Sequence, residues 1–219
     1  MNIASLIDHT LLKPDATVAD IERLCREASL HQFCSVCINP FYVKSAADLL
    51  QNMPVKVCTV IGFPLGANLT ETKAAETRFA LRDGAREIDM VLNIGVLKAG
   101  NHTAVLADIQ AVTQLCREAH AICKVIFETC LLTDAEKTLA CELCIAGGAN
   151  FVKTSTGFST GGATVDDVAL MSRLVKSRGL GVKASGGIRS LADLQKMVTA
   201  GATRIGTSSG IKILQEAAG

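Results

Sequence analysis

The sequence contains no tryptophan and only one tyrosine among its 219 residues, and its formal net charge is only +1. Proteins that bind nucleic acid use aromatic stacking and basic surfaces, so this composition predicts no nucleic-acid partner. No apolar run is long enough to span a bilayer, so we expect no membrane partner. The first residues, MNIASLIDHT, lack a basic segment and a cleavage site, so we predict no secretory signal and a cytoplasmic location.

Cysteine is abundant, with nine residues, but its pattern predicts neither disulfides nor a metal site. The number is odd and several cysteines lie in apolar runs, which favours reduced, buried thiols. Two C-x-x-C pairs occur, Cys34/Cys37 and Cys141/Cys144. The first pair is predicted on a strand, where positions three apart face opposite sides, and the second within a helix. The pairs are also too far apart for a zinc ribbon, so we predict no metal and no other cofactor.

Eight short apolar runs alternate with amphipathic segments along the chain: SLID, CSVCI, VKVCTVIG, EIDMVLN, CKVIFE, FVKTS, GVKAS and TRIGTS. Several are apolar at successive positions, which is typical of parallel strands buried on both faces. Helix capping boxes are predicted at Thr17, Thr133, Thr164 and Ser190. Eight βα units without a linker predict an α/β fold, a single-domain (β/α)8 TIM barrel over residues 1–219. An open doubly wound sheet is the alternative.

A weak internal repeat aligns three of the predicted strands. GAREIDM, GANFVKT and GATRIGT share a Gly-Ala pair, and the fifth residue after each glycine is Asp89, Lys153 or Gly206. Because side chains alternate along a strand, these three residues are predicted to point the same way. We expect them to face the barrel interior near its C-terminal mouth, where barrel enzymes hold their active sites.

Two lysines are predicted at the ends of neighbouring strands, Lys153 in FVK and Lys183 in GVK. Adjacent strands lie about 4.8 Å apart, so each ammonium group is expected to lower the pKa of the other. A neutral lysine can attack a carbonyl carbon and form a Schiff base. Asp89, flanked by apolar residues, is a candidate for proton transfer. The alternatives are solvated lysines and an aspartate that serves only as an ion-pair partner.

Glycine- and serine-rich loops follow the last two predicted strands. GGIR comes after Lys183, and GTSSG opens the final helix. In barrels, the loops after strands seven and eight often bind phosphate through backbone amides and a helix N-terminus. Turns without a ligand are the alternative. The candidate phosphate and substrate contacts are Thr156, Gly157, Gly186, Gly187, Gly206, Ser208 and Ser209.

Six motifs together resemble the deoxyribose-phosphate aldolase family: IDHTLLKPDAT, VCTVIGFPLG, EIDMVLN, FVKTSTGF, VKASGGIR and RIGTSSG. The resemblance runs from residue 7 to about residue 210. It implies a barrel enzyme that reversibly cleaves 2-deoxy-D-ribose 5-phosphate to D-glyceraldehyde 3-phosphate and acetaldehyde. It also implies that Lys153 forms the Schiff base, that Lys183 perturbs its protonation and that Asp89 relays protons.

The resemblance assigns further substrate contacts to the first two strands. Asp8 and Thr10 match a D-x-T motif that borders the active-site hydrogen bonds, and Cys37 matches a cysteine near the substrate. Cys37 is either a reactive thiol or an inert core residue. The chain departs from some members at Phe158, where they have a lysine, and it lacks the tyrosine that ends the tail of some longer members.

Because Phe158 removes one charged contact, we predict that backbone amides and the serines of GTSSG hold the phosphate, rather than a salt bridge. The expected partners are sugar-phosphate and aldehyde substrates, and a homodimer or homotetramer is compatible with the sequence. Two alternatives to the aldolase stay open. One is another Schiff-base or sugar-phosphate barrel, such as a transaldolase or an epimerase. The other is a barrel that binds sugar phosphate without catalysis.

Overall fold

Eight parallel strands close into one barrel in the computed structural model, which describes residues 2–219. The strands are β1 (Ile7–Leu11), β2 (Ser35–Ile38), β3 (Lys56–Ile61), β4 (Glu87–Val91), β5 (Ile122–Ile126), β6 (Phe151–Lys153), β7 (Gly181–Ser185) and β8 (Arg204–Thr207). Each strand pairs with its neighbours in sequence order, and β1 pairs with β8 to close the barrel. The predicted (β/α)8 barrel is confirmed, and the open sheet is excluded.

Nine α-helices lie between and after the strands of the described residues, and 3-10 turns occupy Ala4–Leu6, Pro40–Tyr42, Thr129–Leu131 and Lys176–Arg178. The helices are α1 (Val18–His31), α2 (Val43–Leu49), α3 (Thr70–Arg82), α4 (Ile94–Lys98), α5 (His102–Glu118), α6 (Asp134–Gly147), α7 (Val165–Val175), α8 (Leu191–Ala200) and α9 (Gly210–Ala218). Within residues 2–219, none of them combines the length and the apolar character that a membrane-spanning segment needs.

Three of the four predicted capping boxes form completely, at Thr17, Thr133 and Ser190. At the start of α7, the Thr164 side chain accepts from the Asp167 backbone N–H, but the reciprocal bond is missing. The Asp167 carboxylate instead forms an ion pair with Lys137, whose Nζ lies 2.5 Å from Asp167 Oδ1. An ammonium group is a stronger partner for the carboxylate than a backbone amide.

Two strand boundaries differ from the prediction. β1 begins only at Ile7, because Ala4–Leu6 form a 3-10 turn. Lys183 is not at a strand end, because β7 continues to Ser185. It lies level with Lys153, which does end β6, so the two lysines are direct neighbours across the strands.

The apolar core lies between the barrel and the helices. Ile88, Val152 and Ile205, each one position before an inward-facing residue of the repeat, point into it and are fully buried, as alternation along a strand requires. The alternate positions face the barrel interior, where much of the space is filled by ionisable side chains instead of apolar ones. The buried charged residues of the interior are Asp8, Glu87, Asp89, Lys124, Lys153, Lys183 and Arg204.

Candidate active site

Three lysine side chains converge on the carboxylate of Asp89. Lys153 Nζ and Lys183 Nζ donate to Asp89 Oδ2 at 2.7 and 2.6 Å, and Lys124 Nζ donates to Oδ1 at 2.7 Å. The four residues come from four consecutive strands, β4 to β7, whose inward-facing positions meet inside the barrel. The structure therefore brings together the three residues predicted to carry the chemistry and adds Lys124.

A second layer of ion pairs lies against this cluster. Asp8 accepts from Arg204 Nη1 at 2.7 Å, and its other oxygen lies 2.5 Å from Lys183 Nζ. Glu87 lies 2.6 Å from Lys124 Nζ and 2.9 Å from Arg204 Nη1. Asp8 is thus a buried ion-pair partner of Lys183. The family resemblance assigned Asp8 to the substrate contacts, but Asp8 does not line the cavity at the barrel mouth.

The carboxylates control the protonation of this network. Burial alone would lower the pKa of Lys183, but Asp8 and Asp89 outweigh it and hold that pKa well above its ordinary value. Burial would raise the pKa of Asp89, but Lys124, Lys153 and Lys183 hold it well below its usual range. The expectation that the two neighbouring lysines lower each other's pKa therefore fails for Lys183. A carboxylate lies between them and bonds to both.

A cavity of about 250 Å³ opens at the C-terminal mouth of the barrel. Of the charged network, Lys153 alone lines it within the described residues. Asp89 and Lys183 lie beneath, fully buried. Other predicted contacts that line the cavity are Thr10, Thr156, Gly157, Gly186, Gly187, Gly206 and Ser208. Ser209 does not line it and instead precedes the first residue of α9.

Two basic side chains also line the cavity, Lys13 after β1 and Arg189 in the glycine-rich loop after β7. Sequence reasoning missed both, although Arg189 follows directly on Gly186-Gly187 and could have been included from that position alone. Phe158 lines the cavity as well and is 52% exposed. Its ring packs edge-on against Phe63 at 5.3 Å between centroids, so one wall of the mouth is aromatic.

Cys37 is fully buried and does not line the cavity. Its thiol packs with Leu12, Cys58 and Val60. The neighbouring Cys58 thiol lowers the pKa of Cys37 to about 7, against the opposing effect of burial. Cys37 therefore lies outside the cavity wall, and its contact with substrate stays a prediction. The lowered pKa favours a thiolate, whereas the burial favours an inert core residue, and both interpretations stay open.

Two groups of three potential metal ligands occur inside the barrel, one of Cys37, Cys58 and Asp89 and one of Asp8, Cys58 and Glu87. The sequence did not predict them, because their members come from different strands. Lys124 Nζ lies 3.3 Å from Cys58 Sγ and 2.7 Å from Asp89 Oδ1. An ammonium group thus already sits between the ligands that a cation would need.

The closed barrel and the polar cavity at its mouth place the protein among the (β/α)8-barrel enzymes. A sequence profile of the DeoC/LacD family aldolases matches residues 3–216. The chain belongs to this family and is an aldolase.

Its relatives include several deoxyribose-phosphate aldolases. The one from Lysinibacillus sphaericus is 59% identical over 213 residues, which cover 97% of this chain and 95% of the relative. The one from Carboxydothermus hydrogenoformans is also 59% identical, over 97% of this chain and 94% of the relative. The tetrameric structure of the enzyme from Aeropyrum pernix is 40% identical with a TM-score of 0.93, over 99% of this chain and 91% of that one. The resemblance seen in the six motifs is confirmed.

Proposed function

We propose that the protein reversibly cleaves 2-deoxy-D-ribose 5-phosphate to D-glyceraldehyde 3-phosphate and acetaldehyde through a Schiff base on Lys153. The observation that carries the proposal is the position of Lys153. It belongs to a buried ionic network and yet lines the cavity at the barrel mouth. The names of the relatives support the substrate, since they are deoxyribose-phosphate aldolases.

The charge balance of the network favours Lys153 as the nucleophile. Four basic side chains, Lys124, Lys153, Lys183 and Arg204, share three carboxylates. Lys124 contacts all three carboxylates, Lys183 contacts two and Lys153 contacts one. Loss of the proton from Lys153 would therefore leave a balanced network. A neutral amine that faces the cavity is what attack on a carbonyl requires.

The proposed steps follow from this arrangement. Neutral Lys153 attacks C1 of the open-chain sugar phosphate, and loss of water gives a protonated imine. As the C3 hydroxyl loses its proton, the C2–C3 bond breaks and its electron pair moves towards the imine nitrogen to form an enamine. Glyceraldehyde 3-phosphate leaves. The enamine is protonated on carbon, and hydrolysis releases acetaldehyde and regenerates the amine.

Asp89 has two tasks in this scheme. Its Oδ2 accepts from Lys153 and would stabilise the positive charge of the imine that replaces the ammonium group. We also assign Asp89 to the relay of the C3 hydroxyl proton through one water molecule. Because its cationic partners, above all Lys124, hold the pKa of Asp89 well below its usual range, it would pass the proton on and not keep it.

Reductive trapping tests the proposal directly. Incubation with acetaldehyde and borohydride should attach one ethyl group to the protein, and peptide mapping should place it on Lys153. In parallel, cleavage of deoxyribose 5-phosphate should release glyceraldehyde 3-phosphate. A barrel that only binds sugar phosphate would give neither result. An epimerase would give no trapped adduct, and a transaldolase-like enzyme would not release acetaldehyde from this substrate.

The phosphate group is assigned to the glycine-rich loops after β7 and β8, which carry Arg189 and Ser208, together with Lys13, which lines a second pocket with Ser208. This assignment differs from the prediction made at Phe158, because two cations supplement the backbone amides. Gly187 adopts a left-handed φ of +82°, which few other residues tolerate.

Gly187→Val should therefore displace this loop and raise KM for deoxyribose 5-phosphate about tenfold, the loss expected for one hydrogen bond to a charged group. KM for unphosphorylated deoxyribose should hardly change. Gly179→Val is the matched control, since Gly179 has the same φ of +82°, is equally free of close neighbours and does not line the cavity. An equal rise in KM for both sugars in Gly187→Val would show that the phosphate binds elsewhere.

We also predict that activity survives exhaustive chelation. The ligand groups inside the barrel bond to Lys124 and Arg204, so a divalent cation would have to displace these side chains. The measurement is turnover after dialysis against EDTA, with and without added Zn²⁺ or Mn²⁺. A loss of turnover that a divalent ion restores would point to a metal-dependent aldolase.

Three further expectations accompany the proposed function. The chain is expected to act as a single domain, to work in the cytoplasm and to form a homodimer or homotetramer. The tetrameric relative from A. pernix supports the last of these, though only as a property of that protein.

A further inference from the structure

Glu128 is a buried carboxylate outside the ionic network described above. Its side chain follows β5 and is only 3% exposed. Within residues 2–219, no lysine, arginine or histidine forms an ion pair with it. Its backbone has a left-handed φ of +55°, an unfavourable conformation for a residue with a side chain. Such outliers persist where the surrounding structure holds them, often at functional sites.

The partner of Glu128 is Thr156, in the loop that follows Lys153. The Thr156 hydroxyl donates to Glu128 Oε2, and the Thr156 backbone N–H donates to Oε1 at 3.3 Å. The same hydroxyl accepts from the backbone N–H of Phe158 at 3.0 Å. Thr156 also lines the cavity.

These bonds fix what the Thr156 hydroxyl can offer a substrate. A hydroxyl group has one proton and two acceptor sites. The proton is committed to Glu128 and one acceptor site to Phe158, which leaves one acceptor site. Towards a ligand, the hydroxyl can therefore accept a hydrogen bond but cannot donate one.

Other hydroxyl groups of the cavity wall also have their proton committed, but to backbone carbonyl groups. Ser185 donates to the Ser155 carbonyl at 2.6 Å, Thr207 to the Ile188 carbonyl at 2.7 Å and Thr10 to the Asp8 carbonyl at 2.8 Å. The sites that these hydroxyl groups leave free are therefore hydrogen-bond acceptors. Lys13 and Arg189 supply hydrogen-bond donors to the same cavity. Thr156 differs because a side chain sets its polarity, so a point mutation can reverse it.

We propose that Glu128 is a positioning residue that fixes Thr156 as an acceptor for a substrate hydroxyl. It thereby sets a preference for acceptor aldehydes with a hydroxyl beside the carbonyl. Thr156 is three residues beyond Lys153 and lines the same cavity, and on this basis we assign its hydroxyl to the substrate hydroxyl that neighbours the reacting carbonyl. The inference rests on the proposed aldolase function.

The test compares two acceptor aldehydes in condensation with acetaldehyde. One is D-glyceraldehyde 3-phosphate, and the other is 3-oxopropyl phosphate, which lacks only the hydroxyl. The readout is the ratio of kcat/KM for the first over the second. This ratio isolates recognition of the hydroxyl, because a loss of folded enzyme or of the nucleophile lowers both values equally.

Wild-type enzyme should prefer the hydroxylated aldehyde, and Thr156→Val should lower the ratio about tenfold, as expected for one lost hydrogen bond. Glu128→Gln should lower the ratio as well, but by less than Thr156→Val. Its amide can donate to Thr156 and release the hydroxyl proton towards the cavity, where that proton must then meet the oxygen of the substrate hydroxyl instead of its proton. The double variant should show no further fall, because both changes act on one hydroxyl. Thr156→Ser should keep the ratio.

Glu76→Gln is the matched control. Glu76 also accepts from a backbone N–H at the barrel mouth, that of Gly62 at 2.7 Å, but it does not line the cavity. Its ratio should equal that of the wild type. An unchanged ratio in Glu128→Gln, equal loss of both aldehydes, or additive effects in the double variant would overturn the inference. Failure of wild-type enzyme to condense either aldehyde would instead refute the proposed function.

Discussion

Lys153→Met should abolish turnover, with a loss on the order of 10⁴-fold or more, because Lys13, the other lysine that lines the cavity, is exposed and lies outside the charged network. The same variant should yield no ethyl adduct after treatment with acetaldehyde and borohydride. The barrel should remain folded, since Asp89 keeps hydrogen bonds from Lys124 and Lys183. The measurements are steady-state cleavage of deoxyribose 5-phosphate, intact-protein mass and thermal unfolding.

Lys73→Met is the matched control for the loss of a buried ammonium group. Lys73 is fully buried, lies 2.5 Å from Asp108 Oδ2 and does not line the cavity. The control should lose stability but keep the trapped adduct. If Lys153→Met still forms an adduct, and mapping places it on Lys124 or Lys183, the nucleophile has been misassigned.

Lys183→Leu should reduce turnover at neutral pH by about 10- to 100-fold, the range expected when one charge next to a reacting group is removed. Lys183 and Lys153 share Asp89 Oδ2. Without Lys183, Asp89 Oδ2 accepts a hydrogen bond from Lys153 alone, so the ammonium form of the nucleophile is favoured. The alkaline rise of the pH–rate profile should therefore move to higher pH, and residual activity should recover as the pH is raised.

Stability should fall in Lys183→Leu, because breaking a buried ion pair costs about 3–5 kcal/mol. The fold should survive, since Asp8 keeps Arg204 and Asp89 keeps Lys124 and Lys153 as partners.

Lys124→Leu is the control. Lys124 contacts three carboxylates but binds the other oxygen of Asp89, so its loss should reduce stability at least as much and shift the pH–rate profile less. Near-normal turnover of Lys183→Leu at neutral pH would contradict the role assigned to Lys183.

The barrel could be predicted because each of its units leaves a local mark in the sequence. The apolar runs and the helix starts are short-range patterns, and the repeat around Asp89, Lys153 and Gly206 indicated which side chains face inward. The cluster of Asp89 with Lys153 and Lys183 followed from that direction and from strand adjacency. The functional roles of these residues remain proposals.

The rest of the site depends on contacts between distant strands, which leave no such mark. A charged residue inside an apolar run does not reveal its ion-pair partner. Lys124 in CKVIFE and Glu87 in EIDMVLN could therefore not be recognised as site residues. Their bond depends on the parallel pairing of β4 with β5. The carboxylate between two lysines reverses the expected direction of the pKa of Lys183. Glu128 and Thr156 are 28 residues apart, and their contact depends on two loops meeting above β5 and β6.

The ion pair between Asp8 and Arg204 has a consequence for how the enzyme is made. Its partners lie 196 residues apart, one in the first strand and one in the last. While β8 is still inside the ribosome, a growing chain cannot bring Arg204 to the barrel. Asp8 and Glu87 are then missing one of their cationic partners. Assembly of the charged interior and joining of the two ends of the sheet are therefore one late, long-range event. A nascent or truncated chain carries Lys153 but cannot complete its surroundings, so reactivity towards aldehydes should appear only when synthesis is complete.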